Sequence, residues 1–210
     1  LVTAGPTVEP LDPARLITNR SSGRMGVLLA QAARFRGARV DLVHGPIKLP
    51  SALLDGLNGF AVQGAAQMQS FLSDLQPKAD AIAMAAAVGD VHHKNGGEAR
   101  KITKELFLDS LGNGLEIVPD LLRELANRRT NGQILLGFTA LTGDDNQIKK
   151  AAETKRINKG CDLLFANPID RPEQGFEASS NGGFLLSKNA MVEEIKLTSK
   201  LDLAHQLLDR

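Results

Sequence analysis

The chain has 210 residues, of which 42% are hydrophobic and 23% are charged, a balance typical of a globular protein rather than a disordered or fibrous one. Twenty-five basic and 24 acidic residues give a net charge of +1, which favours neither nucleic acid nor an anionic membrane as a partner. A single cysteine excludes an internal disulfide framework and a cysteine-rich zinc site, and the lack of tyrosine excludes enzymes that use a Tyr-Lys acid–base pair. This composition predicts a cytoplasmic protein.

Short aliphatic runs alternate with amphipathic helical patterns, which predicts βαβ units around a mostly parallel sheet. In chain order, the predicted strands cover residues 1–4, 38–43, 61–63, 79–86, 134–138 and 161–166. The predicted helices cover residues 24–36, 65–75, 119–129, 146–159 and 200–208. Pro119 is placed in the first turn of its helix, where proline is tolerated. Residues 184–187 and 192–197 have the pattern of a C-terminal hairpin, and the 79–86 strand, the most apolar, is expected at the centre of the sheet.

No linker or repeat divides the chain, so one domain is expected over residues 1–210. The sequence opens on Leu1, already within a strand pattern. We therefore expect the chain to be a fragment of a longer polypeptide.

Two segments of small residues lie where the first strand ends and the first helix begins. These are Thr3 to Thr7 and Ser21 to Gly26. Ligands of open α/β sheets bind beyond the carboxyl ends of the strands, and a helix N-terminus with small residues accommodates a phosphate. The alternative is a serine N-cap followed by a glycine turn. Neither a Walker loop nor a dinucleotide fingerprint is present.

The central strand ends in Ala85 to Asp90, where small residues leave room for a planar base or an acyl chain. Asp90 is a candidate for holding a metal or an amide, although a lone aspartate in a loop is more often a turn residue. His92 and His93 are adjacent and point in opposite directions on an extended chain. We therefore expect them to be exposed to solvent rather than to chelate a metal.

Three lysines and one cysteine complete the candidate residues. Lys101 follows a polar loop over residues 89–97 and would neutralise a triphosphate if it lay near a phosphate site, although from the sequence alone a solvated lysine is strongly favoured. Lys155 and Lys159 lie near the end of a basic helix, where cations also interact favourably with the helix dipole. Cys161 opens a buried strand and is expected to be a small core residue.

In their order along the chain, these segments resemble bacterial phosphopantothenoylcysteine synthetases. The resemblance begins with the long motif over residues 3–26. It continues through the pairs and segments Gly45-Pro46, 86–90, Lys101-Ile102, Pro119-Asp120, Gly137-Phe138 and 155–167. It therefore covers essentially the whole chain.

The resemblance implies an α/β, Rossmann-like three-layer domain with a mostly parallel central sheet and a C-terminal hairpin. It also implies a ligase that joins 4′-phosphopantothenate and L-cysteine in coenzyme A biosynthesis. CTP and Mg²⁺ would convert the substrate carboxylate to an acyl-cytidylate with release of pyrophosphate, and cysteine would then displace CMP. A homodimer is expected, and FMN would belong only to a decarboxylase domain fused before this one.

The resemblance also assigns roles to individual residues. The catalytic residues would be Asn19 and Lys101. The CTP site would comprise Ser21, Gly23, Gly26, Met84, Ala85, Ala86, Asp90, Lys101, Pro119, Asp120, Leu121, Leu122, Phe138, Lys155 and Lys159. Phosphopantothenate would contact Arg15, Asn19, Ala86, Ala87 and Asp90, with Arg15 and Asn19 reaching across the dimer interface. The metal ligands are not assigned.

The sequence departs from the family pattern at several positions. Val118 stands where an Asn commonly precedes Pro-Asp, Leu141 replaces a Glu, Val91-His92 replaces an aromatic-basic pair, and Ser179 replaces an Asp. These departures favour, as an alternative, a catalytically degenerate nucleotide-binding domain. An NAD(P)-dependent oxidoreductase is a weaker alternative, because both the dinucleotide glycine fingerprint and a tyrosine are missing.

Overall fold

The computed structural model describes residues 1–189 and 191–210. In chain order, the strands are β1 Val2–Ala4, β2 Val8–Asp12, β3 Arg15–Thr18, β4 Asp41–His44, β5 Asn58–Ala61, β6 Ala81–Met84, β7 Val91–His93, β8 Leu115–Ile117, β9 Ile134–Leu141, β10 Leu163–Pro168, β11 Ser180–Ser187 and β12 Val192–Ser199. The helices are α1 Arg24–Phe35, α2 Ala65–Leu75, α3 Lys104–Asn113, α4 Leu121–Arg128, α5 Asp145–Lys159 and α6 Lys200–Leu208. Short 3₁₀ turns cover Ser51–Leu54 and Gln76–Lys78.

Eight strands form one sheet in the order β12-β11-β10-β9-β6-β1-β4-β5. The six strands from β10 to β5 are parallel, whereas β11 and β12 are antiparallel additions at one edge. The parallel strands follow the doubly wound order 3-2-1-4-5-6 when they are counted along the chain. The predicted Rossmann-like α/β fold with a C-terminal hairpin is confirmed. The direction of winding reverses between β1 and β6, which opens a crevice at their carboxyl ends.

Helices cover both faces of this sheet, because successive side chains of a strand point to opposite sides. On one face, α1 and α6 pack over fully buried residues such as Leu42 and Phe165. On the other face, α2, α4 and α5 pack over Val43, Ile82 and Leu164. The three layers hold the strand ends in fixed relative positions, and the candidate site is built on those ends.

Two small antiparallel pairs, β2–β3 and β7–β8, lie outside the main sheet and were not predicted. None of the strands or helices predicted from the sequence covers these two pairs or α3. Pro10 within β2 argues against a strand when it is considered by sequence alone. Ile117 in β8 is 83% exposed and Leu108 in α3 is 78% exposed, so these elements lack the apolar face that reveals a buried strand or helix.

Two local predictions were wrong. Pro119 lies outside α4, which is capped by Asp120 through a hydrogen bond that the Arg123 N–H donates to its carboxylate over 3.2 Å. His93 was expected to be exposed, yet only 3% of its surface is. Its ring lies against Gly114, where a Cβ atom would come within 3.1 Å of Nε2, so the close packing of β7 against the end of α3 buries it. Cys161 is buried as predicted, and that burial raises the pKa of its thiol to about 11.

Candidate active site

Two adjoining cavities open at the carboxyl ends of β6, β9 and β10, with the start of α1 on one side. The larger cavity has a volume of about 660 Å³ and the smaller one about 140 Å³. Predicted residues that line the larger cavity are Asn19, Met84, Ala86, Ala87, Asp90, Pro119, Asp120, Leu121, Leu122, Phe138, Lys155 and Lys159. Predicted residues that line the smaller cavity are Ser21, Gly23, Gly26, Ala85, Ala86, Ala87 and Phe138. The two cavities therefore share a wall formed by the end of β6 and the Phe138 ring.

The first turn of α1 faces the smaller cavity. Its N-cap is Gly23, which has a φ of 78°, so a serine is not the N-cap residue, although Ser22 Oγ accepts a hydrogen bond from the Arg24 N–H over 3.4 Å. A Cβ atom at Gly23 would lie 2.4 Å from Ile47 Cγ2 and 3.1 Å from Gly5 Cα, so both the backbone conformation and the packing require glycine there. The N–H groups of a first helical turn have no partner within the helix, which makes this end of α1 suited to an anion.

Asn19 lines the larger cavity and joins the end of the β2–β3 pair to the segment that follows β6. Its Nδ2 donates to the carbonyl oxygens of Ala87 and Val88, over 3.0 and 3.2 Å. Oδ1 accepts no hydrogen bond from the described residues. The Asn19 side chain therefore holds the rim of the cavity in place, and its Oδ1 atom remains available to accept a hydrogen bond from a ligand.

Two threonines that the sequence analysis did not single out as functional hold the ends of β1 and β6 together. Thr3 Oγ1 accepts from the Ala86 N–H over 3.0 Å, and Thr7 Oγ1 accepts from the Gly89 N–H over 2.8 Å. Both threonines are fully buried. Their hydroxyls satisfy backbone donors in a segment without regular strand pairing, which explains how a chain of small residues is held rigid there.

Two lysines of α5 lie on the far wall of the larger cavity. Lys155 donates to Thr139 Oγ1 over 3.1 Å, and Lys159 forms an ion pair with Asp120. Asp120 is also the N-cap of α4. The Val118 N–H donates to the carbonyl oxygen of Asp90 over 3.0 Å, so the loops carrying Asp90 and Asp120 are tied together beside these cations.

The structure does not bring Arg15 or Lys101 into either cavity. Arg15 forms an ion pair with Asp12, and its guanidinium lies 4.2 Å from the centre of the Phe107 ring. Lys101 is exposed and lines a separate cavity beside His93. Both residues therefore lie at the outer edge of the site.

Asp12 connects these outer residues. Its carboxylate accepts hydrogen bonds from the Arg15 guanidinium and from the N–H groups of Ala14 and Ile102. Burial opposes ionisation, but those hydrogen bonds lower the pKa of Asp12 to about 2. Because Ile102 is the neighbour of Lys101, Asp12 links the β2–β3 pair directly to the segment that carries Lys101.

Comparison with known proteins places this arrangement in a family. The family model described as the DNA/pantothenate metabolism flavoprotein C-terminal domain matches residues 1–210. The chain belongs to this family. The coenzyme A biosynthesis bifunctional protein CoaBC of Vibrio cholerae is 36% identical over 208 residues, which are 99% of this chain and 50% of that protein. The chain thus spans about half the length of the curated relatives it matches.

Solved structures share the fold. The crystal structure of the C-terminal domain of CoaBC is 28% identical and has a TM-score of 0.77, covering 99% of this chain and 91% of that one. A Cab2 mutant, solved in complex with phosphopantothenate-cysteine, is 17% identical with a TM-score of 0.73 and covers 99% of this chain and 84% of that one. At 17% identity this second similarity concerns the fold alone. The resemblance inferred from the sequence motifs is confirmed.

The structure also brings into the site residues that sequence reasoning missed. Thr139, Phe176, Asn181 and Lys200 line the cavities. Asn167 lines the smaller cavity as well and was recognised only as part of the family motif. These residues come from β9 and from chain beyond residue 166, and the pairing of β10 with β11 brings the later ones to the site.

Among the residues that the structure describes, no cluster of three or more His, Cys, Asp or Glu side chains is placed to hold a metal ion. No helix among those same residues is long and apolar enough to cross a membrane.

Gly26 sets how closely α1 approaches β1, and replacing it with alanine is expected to destabilise the domain. A Cβ atom there would lie 2.4 Å from the Thr3 carbonyl oxygen and 2.7 Å from Ala4 Cβ. Overpacking of this kind costs about 1–3 kcal/mol, so Gly26→Ala should lower the melting temperature. Gly112→Ala in α3 is the control, because a Cβ atom at Gly112 meets nothing within 4 Å. Equal melting temperatures for the two variants would contradict the close approach.

Proposed function

We propose that the chain is a CTP-dependent phosphopantothenate–cysteine ligase of coenzyme A biosynthesis, working through an acyl-cytidylate. The observation that carries the proposal is the pair of adjoining cavities beyond the carboxyl ends of β6, β9 and β10, in a chain related to coenzyme A biosynthesis proteins. The larger cavity suits a planar base beside small residues such as Ala86. The smaller one presents the N-terminus of α1 to phosphates.

The proposed reaction has two steps. A carboxylate is a poor acylating agent, so its oxygen first attacks the α-phosphorus of CTP while the bond to the pyrophosphate oxygen breaks. The amine of cysteine then attacks the activated carbonyl carbon, loses a proton and displaces CMP. Both steps develop negative charge on phosphate oxygens, so the protein contributes by positioning the reactants and by offsetting that charge.

Different residues of the two cavities would bind the phosphates, neutralise their charge and orient the substrate. The first turn of α1, with Ser21, Gly23 and Gly26, would hold the phosphates. Lys155 and Lys159 would supply positive charge on the opposite wall, where Lys159 already neutralises Asp120. Asn19, with its unoccupied Oδ1 and its hold on the segment after β6, would orient phosphopantothenate and the acyl-cytidylate. Lys101 would reach the reacting phosphates by inward movement of its segment.

Magnesium fits the donor set of the larger cavity. Mg²⁺ on nucleotides is typically bound by one or two carboxylates together with phosphate oxygens and water, and the Asp90 carboxylate lines this cavity, whereas the Asp120 carboxylate is already engaged by Lys159 and by the Arg123 N–H. When bound, the ion would neutralise phosphate charge. Asp90 would hold it, on a loop that is fixed by the hydrogen bond from the Val118 N–H to the Asp90 carbonyl oxygen.

We also propose a homodimer. Large apolar side chains are exposed on the outer elements: Leu16 on β3 is 55% exposed, Leu106 on α3 is 59% exposed and Ile117 on β8 is 83% exposed. A partner covering this surface would lie beside Arg15 and the Lys101 segment.

The half-length match to CoaBC supports one domain of a longer polypeptide, in which any FMN would belong to a preceding decarboxylase domain.

A catalytically degenerate nucleotide-binding domain is the second candidate, favoured by one observation. Val118, where the family commonly has a polar Asn, is 7% exposed and packs beside the two aspartates. A domain of this kind would bind CTP without turning it over.

The test is pyrophosphate release from CTP, Mg²⁺ and phosphopantothenate mixed without cysteine. Because activation precedes amide formation, we expect pyrophosphate to appear at once and CTP to be preferred to ATP in a parallel reaction. Calorimetry with CTP provides the binding control. CTP binding with no pyrophosphate would favour the degenerate domain, and a first burst that requires cysteine would contradict the acyl-cytidylate.

A further inference from the structure

Lys200 is a buried lysine at the start of α6 whose charge lacks an acidic partner. The residue is 3% exposed, and its ammonium donates to the carbonyl oxygens of Gly175 and Phe176 over 2.8 and 3.2 Å. In the part of the chain that the structure describes, no Asp or Glu forms an ion pair with it. Burial, together with the nearby positive charge of Arg24, lowers the pKa of Lys200 to about 8.

Such an arrangement is costly unless an anion completes it. A buried charge without a counter-charge is strongly unfavourable, and a second cation beside it adds repulsion. An ammonium group has three donors, and two of those of Lys200 are used. The side chain lines the smaller cavity, which leaves the third donor as the group available to a ligand there.

The other groups around the smaller cavity suit the same kind of ligand. The first turn of α1, whose N-cap Gly23 has no side chain, lies on one side, and the amide side chains of Asn167 and Asn181 lie on the strands of the other side. The Phe176 carbonyl, which Lys200 holds, also accepts from Ser22 Oγ over 3.2 Å. Lys200 and the α1 entrance are thus joined through one backbone segment, so that the cation and the helix N-terminus face the same space.

We propose that Lys200 binds the pyrophosphate end of the nucleotide, the β- and γ-phosphates, and retains the pyrophosphate anion as it leaves. The inference rests on the nucleotide assignment above, because a base in the larger cavity directs the phosphate chain across the shared wall of Ala86 and Phe138 into the smaller one. Bond breakage places negative charge on the leaving pyrophosphate, and a positive group already in position offsets that charge.

The experiment measures the affinity of the full chain for inorganic pyrophosphate, CMP and CTP by calorimetry. In Lys200→Met, we expect pyrophosphate and CTP to bind about 10- to 100-fold more weakly, as for the loss of a hydrogen bond to a charged group. CMP affinity should be unchanged. The melting temperature should be retained or raised, because methionine removes an unpaired buried charge while keeping the apolar stem. Lys200→Arg should recover part of the pyrophosphate affinity.

Lys196→Met is the matched control, since Lys196 is an exposed lysine on the preceding strand and should leave all three affinities unchanged. Unchanged pyrophosphate affinity in Lys200→Met would overturn the proposal, as would equal weakening of CMP or a wild-type chain that does not bind pyrophosphate. If Lys200→Met fails to fold, failure of Lys200→Arg to bind pyrophosphate better than Lys200→Gln would overturn it. Pyrophosphate binding that depends on Lys200 in a chain that does not turn over CTP would refute the proposed function and leave this inference standing.

Discussion

Replacement of Lys101 by glutamine is expected to slow product formation by about 10²- to 10³-fold, the usual cost of removing one electrostatic stabiliser of a transition state. Glutamine keeps the approximate length and the hydrogen-bonding capacity of lysine but removes the charge that would offset the reacting phosphates. Folding should be unaffected, because Lys101 is exposed. The measurement is steady-state product formation alongside thermal melting.

Because of the position of Lys101, this substitution also tests whether the segment that carries it moves. The residue lies outside both cavities, in a segment attached to Asp12 through the Ile102 N–H over 3.0 Å. Catalysis by Lys101 therefore requires that segment to move toward the nucleotide. Lys104→Gln is the matched control, because Lys104 is exposed in the same region at the start of α3. Turnover of Lys101→Gln close to that of Lys104→Gln would identify Lys101 as a solvated lysine.

Replacement of Asn19 by aspartate is expected to reduce product formation by at least about 10²-fold, because the substitution adds a negative charge and removes the hydrogen-bond donors of the side chain. The variant loses both donations from Nδ2 and sets a carboxylate against the carbonyl oxygens of Ala87 and Val88. The same carboxylate would face an anionic phosphoryl group on the acyl-cytidylate. The readouts are product yield by mass spectrometry, CTP affinity and the melting temperature.

The structure changes how the Asn19→Asp result is to be interpreted. Sequence reasoning set a catalytic role against a simple turn cap, and aspartate caps a turn about as well as asparagine. The observed hydrogen bonds of Asn19 hold two segments of the cavity rim together, so the Asn19→Asp substitution is also expected to destabilise the structure locally. Asn95→Asp, at an exposed loop position, is the control for the added charge. Wild-type yield from Asn19→Asp would remove Asn19 from the catalytic residues.

The main sheet was predictable because its elements have strong, regular patterns. The helices at 24–36, 65–75 and 200–208 were placed within about one residue of α1, α2 and α6, since apolar positions recur on one face and Gly37 ends the first of them. The outer pairs β2–β3 and β7–β8 were not predictable from these patterns. Their stability depends on backbone pairing and on single polar contacts such as those of Asp12, which leave no periodic trace in the sequence.

The candidate site was predictable only where the chemistry lies in local motifs. The segment at Gly23 opens the first helix and the segment at Asp90 comes after the central strand, and both the helix N-termini and the carboxyl ends of parallel strands meet at the same edge of such a sheet. Lys200 gives no such signal, because an isolated lysine at the start of a helix looks solvated. Its burial arises from the path of the chain between β10 and β11, which brings Gly175 and Phe176 over the ammonium group.

The packing of α6 on α1 also bears on how the protein is made. The entrance of α1, which we propose binds phosphate, is synthesised before α6, yet Leu203 and Leu207 of α6 belong to the same apolar cluster as Leu29 of α1 and are added about 170 residues later. At ordinary rates of synthesis this interval lasts roughly ten to thirty seconds. During that time the nascent chain carries α1 with part of its apolar surface uncovered. An element that we propose binds the nucleotide is therefore completed only when α6 has been made, and until then its uncovered apolar surface favours aggregation.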